Sequence, residues 1–154
     1  MPTDLALQFR VELDTLGWTL TSLSPEPADV PWRPGGWTRK QIVGHLLDSA
    51  ANNRQRFVRA AIEGGYTGPG YEQDAWVAAH GYQSQTWETL LRWWHVEHEI
   101  LAAVVDRIPE GQLSAICAVG GDDPVTLRFL IGDYIAHQKH HLEQIAAGTG
   151  IAGT

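Results

Sequence analysis

His137-Gln138-Lys139-His140-His141 sits inside the apolar segment Val125–Ala147 and places three histidines within five residues of a run with helical hydrophobic spacing. On an α-helix, positions i and i+4 lie about 40° apart, one turn above the other. His137 and His141 therefore share a stripe with Leu130, Tyr134 and Ile145. Two imidazoles on an inward-facing stripe bring polar nitrogens that must find partners. A shared metal ion is one way to supply them, and a hydrogen-bonded core is another. Thr126 is placed to cap this last helix and Gly148 to end it.

Working outward, 154 residues with 44% hydrophobic content suit a single domain, 1–154, with a real core. Cys117 is the one cysteine, so no internal disulfide forms, which fits a reducing compartment. No signal-peptide core or membrane-length apolar run is present, so the expectation is a cytoplasmic protein with no membrane partner. A net charge of −7 disfavours nucleic acid as the main partner. The basic cluster Arg39, Lys40, Arg54, Arg56 and Arg59 reads first as a solvated face and second as an anion-binding rim.

The first helix is expected from Thr3 or Asp4 to about Gly17, with Leu5, Phe9, Leu13 and Leu16 as its apolar stripe. Four prolines and two glycines make Ser24–Gly36 a loop. Thr38 and Gln41 then form a capping box that opens a second helix running to about Glu63. Ile42, Leu46, Ala50, Asn53 and Phe57 are its buried stripe, and His45 lies at the edge of that stripe. Residues 64–83 form a long connection bearing Tyr66, Tyr71, Trp76 and Tyr82, expected to pack as a lid or wall. The third helix starts near Ser84 or Thr86 and ends before Pro109, with a seam from Trp87 through Trp94 and His98 to Ile108. No strand pattern stands out. The expected fold is all-α, a four-helix bundle with a long crossover between helices 2 and 3.

Several chemistries are excluded by spacing. No Glu-x-x-His pair supports a di-iron centre, and His-Glu-x-x-His of the zincin proteases is missing. The crossover glycines have no phosphate-cradle spacing. Cys117 has no activating neighbour. A three-histidine site remains, two ligands from the last helix and a third from His45, His95 or His98. Three neutral imidazoles suit zinc, nickel or ferrous iron, and with no fourth protein ligand they leave positions open for water or substrate.

The run Gly36 to Ser49 with Asn52 or Asn53 and Arg56-Phe57, the crossover Tyr71-Glu72-x-Asp74-x-Trp76, and Thr126-Leu127 leading to His137-x-x-His140-His141 together resemble the DinB/YfiT-like superfamily. That resemblance implies a homodimeric four-helix bundle with one divalent metal, zinc or nickel first and iron or manganese next, on His45, His137 and His141. His140, about 60° off His137, is the family's non-ligand neighbour. Gly44 departs from the pattern, where a histidine is expected, and should open space beside the ligand. The implied activity is hydrolysis by metal-bound hydroxide, or S-transfer with a low-molecular-weight thiol as cosubstrate, on a small molecule. Asp48 and Gln144, each a turn from a ligand, are candidates for accepting a ligand N–H or for base chemistry. Asn52, Arg56, Tyr71 and Trp76 are the candidate substrate contacts, Tyr71 and Trp76 as walls of an open metal face. A non-catalytic, metal-stabilised bundle is the competing class.

Overall fold

The structure, a computed structural model, describes residues 2–23, 31 and 35–151, the side chains of 148–151 excepted. Five helices carry it: α1 (Asp4–Ser22), α2 (Arg39–Glu63), α3 (Gln73–His80), α4 (Trp87–Asp106) and α5 (Leu127–Ile151). Hydroxyl caps start the four long ones. Thr3 accepts from the Ala6 amide at 3.1 Å, Thr86 from Thr89 at 3.1 Å and Thr126 from Phe129 at 3.1 Å. At Thr38 the box is complete: its hydroxyl accepts from Gln41 N at 3.2 Å, while Gln41 Oε1 accepts from Thr38 N at 3.0 Å. Gly64, at φ 81°, ends α2 in the left-handed conformation that favours glycine.

Helices α1 and α2 each pack against α4 and α5, so they occupy opposite corners of the four-helix bundle. The core between them joins Phe9, Leu13 and Leu20 to Leu46, Phe57, Leu90, Trp94, Leu101, Leu127 and Ile131, all buried. Gln138 is buried and ties three helices together. Its Oε1 accepts from Trp94 Nε1 at 3.0 Å and its Nε2 donates to the Leu46 carbonyl at 3.2 Å. Both ends of a buried amide are thus satisfied.

Two helix ends, the crossover and a small sheet differ from the sequence expectation. Helix α1 continues through Gly17 to Ser22, because that glycine is a close-approach point: a Cβ there would lie 3.2 Å from the His95 ring. Helix α5 runs past Gly148 to Ile151. The crossover is not structureless, since it holds α3, a 3-10 turn at Tyr82–Ser84 and a strand. That strand, β1 (Gly65–Gly68), pairs parallel with β2 (Ile116–Val119), which pairs antiparallel with β3 (Val125–Thr126). Strands of two to four residues are too short for an alternating pattern to register. The proline loop at 24–34 lies outside the described residues except for Pro31, which bridges to Thr38.

Candidate metal centre

Adjacent helices bring the site together: α2 supplies His45, and α5 supplies His137 and His141 one turn apart. Each of the three offers a ring nitrogen, and these nitrogens lie within 4.8 Å of one another. His45 Nε2 faces His137 Nε2 at 3.1 Å. The three rings meet edge to face, with centroids 4.6–4.9 Å apart. Trp37 covers His45 at a centroid distance of 4.8 Å.

Two observations test whether these residues fit a metal ion. The first is charge. Burial, then the neighbouring His137 and His141, hold His45 down to about 3. Burial, then His141 and His140, hold His137 down to about 4, and burial lowers His141 as well. All three are neutral at pH 7, which is the ligating form. The second is spacing. Two nitrogens each about 2.0–2.1 Å from a tetrahedral ion lie about 3.3 Å apart, near the distance between His45 and His137. The residues fit.

Gln144 Oε1 accepts from His141 Nδ1 at 2.7 Å, which fixes the ring and leaves Nε2 as its free nitrogen. Replacing Gln144 with Leu is expected to weaken metal binding about 10- to 100-fold with stoichiometry unchanged at saturation, as chelator competition would measure. His45 Nδ1 is buried with no hydrogen-bond partner.

Asp48 does not hold a ligand ring. It is buried, and its Oδ1 accepts from Tyr82 Oη at 2.6 Å and faces His80 Nδ1 at 3.2 Å, while Oδ2 has no partner. Burial raises its carboxyl despite the Tyr82 and His80 contacts. Nor does Gly44 open space beside the centre. Tyr82 lies there, its ring 2.0 Å from where a Cβ would stand.

The other predicted site residues scatter. His95 meets Thr21 Oγ1 at 2.9 Å. His98 is a core residue bonded to Tyr134 Oη at 2.6 Å and the Trp94 carbonyl at 2.8 Å, and burial holds it down to about 4. Asn52 donates to the Asp48 carbonyl at 2.9 Å. Arg56 is buried, donating to Asn53 Oδ1 at 3.4 Å and the Pro69 carbonyl at 3.3 Å. Arg39 is buried too, and Arg54 pairs with Glu97 at 3.0 Å, so the basic cluster is not one solvated face. Tyr71 and Trp76 pack on each other at 5.3 Å. They are not in the described lining of the cleft beside His141. That cleft, about 340 Å³, is lined by Gly35, Gly36, Trp37, Ile42, Asp74, His141 and Gln144. The crossover does wall the site, through Asp74 rather than its aromatic residues.

Residues 8–145 match the model of the DinB superfamily. The chain belongs to that superfamily. Among its DinB relatives, the protein named "Putative metal-dependent hydrolase OB0413" of Oceanobacillus iheyensis is 28% identical over 140 residues, 90% of this chain and 79% of the relative. A Geobacillus thermodenitrificans protein with the same descriptive name is 29% identical over 133 residues, 86% and 75% of the two chains. Among solved structures, YfiT from Bacillus subtilis, a four-helix bundle of unusual topology, superposes with a TM-score of 0.85 at 23% identity, covering 99% of this chain and 90% of that one. The mycothiol-dependent maleylpyruvate isomerase superposes at 0.75 with 12% identity, over 92% of this chain and 59% of the other. Both likenesses establish the DinB bundle as the fold.

The lowered imidazoles carry a pH consequence for this DinB centre. In the unfolded chain each histidine titrates near 6.5, whereas His45 and His137 in the fold titrate at about 3 and about 4. Below 6.5 the unfolded state binds more protons, so stability rises with pH through that window. The metal-free protein is therefore expected to lose melting temperature steadily as pH falls from 6.5 toward 4, and to show a plateau above 6.5. A flat profile between pH 7 and 4 would contradict the burial of neutral rings.

Proposed function

We propose that the protein is a metal-dependent enzyme that acts on a small molecule, with one divalent ion, zinc or nickel, on His45, His137 and His141. The observation that carries this reading is the convergence of three neutral imidazoles beside an open cleft, with no fourth His, Cys, Asp or Glu in the group among the described residues. An open coordination position is the catalytic rather than the structural pattern. Bound there, a divalent ion supplies a nucleophile near neutral pH by acidifying water or a thiol. The chain's own residues do the rest. Gln144 orients His141, Trp37 packs its ring on that of His45, and Gly35 and Gly36 form part of the cleft lining.

Hydrolysis is the reading that the names of the relatives support. Thiol-dependent S-transfer is the second reading, supported by the bundle shared with a mycothiol-dependent enzyme. No helix among the described residues is long and apolar enough to cross a membrane; the proposed setting is the cytoplasm. The proposed assembly is a homodimer, for which Leu7, Val11 and Trp18 on α1 and Val96 and Ile100 on α4 are exposed apolar residues. The metal-loaded protein, incubated with a panel of thiols and a chromogenic electrophile and separately with chromogenic esters and amides, tests the reaction. Metal-dependent conjugation assigns S-transfer, and cleavage without thiol assigns hydrolysis. Neither result, with metal bound, favours a metal-stabilised bundle with no catalytic role.

A further inference from the structure

The proposed reaction, whether it uses water or a thiol, releases a proton inside the cleft, and the three imidazoles cannot take it. Each would spend a ring nitrogen on the ion, and the nitrogen of His141 that faces away from the centre already donates to Gln144. Gln144 is an amide and does not titrate. Asp48 is only 2% exposed, with one oxygen occupied by Tyr82 and His80, and it is not part of the cleft lining. That leaves one titratable side chain in the described lining besides His141, namely Asp74. It stands in the first turn of α3, exposed, with no ion pair among the described residues.

We infer that Asp74 is the proton acceptor of the metal cleft. This rests on the metal-centre reading above. The O–H or S–H bond of the incoming nucleophile breaks, its electron pair stays on oxygen or sulfur, and the proton passes to an Asp74 carboxylate oxygen. Because Asp74 is exposed, solvent then removes that proton and resets the carboxylate. An exposed carboxylate in a helical first turn has an ordinary role too, complementing the N-terminal end of the helix dipole. That role predicts a small stability change and nothing at the metal, which is what the test separates.

Wild type, Asp74→Asn, Asp74→Glu and the neighbouring control Glu72→Gln are loaded with cobalt or zinc, and metal content is measured first. Absence of stoichiometric metal in wild type defeats the metal-centre reading itself, and this inference with it. With metal bound, chelator competition should show zinc affinity weaker about three- to tenfold in Asp74→Asn, because a carboxylate lining the same cleft as the dication is removed. Stopped-flow mixing of the cobalt protein with 2-mercaptoethanol should show association slowed about 100-fold in Asp74→Asn and largely restored in Asp74→Glu. Glu72→Gln should match wild type in both. Equal zinc affinity in wild type and Asp74→Asn, equal thiol association rates, or no thiol association in wild type each overturns the assignment.

Discussion

Protein purified without chelator is expected to carry one divalent ion per chain, and the double variant His45→Ala, His137→Ala to carry almost none. Affinity should fall by at least about 10⁴-fold, since the free energy of a protein-bound zinc is spread over its few ligands. Two features make the loss steep. His45 and His137 are the pair whose nitrogens face each other at 3.1 Å, so their removal leaves His141 as a lone half-buried imidazole. The nearest spare histidine cannot substitute, because His140 is exposed and its Nε2 lies 3.4 Å from the Gln144 amide rather than at the centre. Elemental analysis of dialysed protein reads the result. Stoichiometric metal in the double variant would place the ion elsewhere and end the ligand assignment.

A single methyl group at Gly44 is expected to be nearly as damaging to stability as the double variant is to metal binding. A Cβ there would stand 2.0 Å from Tyr82 Cδ2 and 2.3 Å from Cγ. These are atoms near the root of the side chain, so the ring cannot swing clear while its Cα stays in place. Tyr82 is held at its other end as well, donating to Asp48 at 2.6 Å and stacked on His80 at 4.9 Å. Gly44→Ala is therefore expected to cost about 3 kcal/mol or more, at the top of the range for overpacking. Urea denaturation in a double-mutant cycle with Tyr82→Ala isolates the cause. Once the ring is gone, Gly44→Ala should cost under about 1 kcal/mol. An equal penalty in both backgrounds would clear Tyr82 of responsibility.

The sequence was most informative where the physics is local. The Thr38–Gln41 box and the stripe from Leu130 to Ile145 are set by residues three and four apart, and the helices stand where those spacings place them. The bundle follows from them and accords with the DinB match. What was illegible depends on partners far along the chain. Asp48 looked like an acceptor for His45 because it lies three residues away, but Tyr82, 34 residues on, takes its oxygen. Gln138 gave no signal in a run dominated by histidines, yet it joins three helices through bonds spanning 44 and 92 residues. The small sheet is likewise a product of non-local pairing, Tyr66 against Cys117. Asp74 is part of the crossover motif in the sequence, but only the fold sets it in the cleft beside His141.

The crossover is fastened at both ends by groups on α2: Arg56 donates to the Pro69 carbonyl near its start, and Asp48 accepts from Tyr82 near its close. The three histidines lie outside it, on α2 and α5. The crossover's one contribution to the described lining of the cleft, Asp74, is thereby written in a different stretch of the gene from the three imidazoles. Drift or recombination confined to codons 70–81 can change that one position while both fastenings and all three imidazoles stay in place. A bundle wired this way can vary that side of the cleft by exchanging one short cassette, with its three-histidine cluster inherited intact.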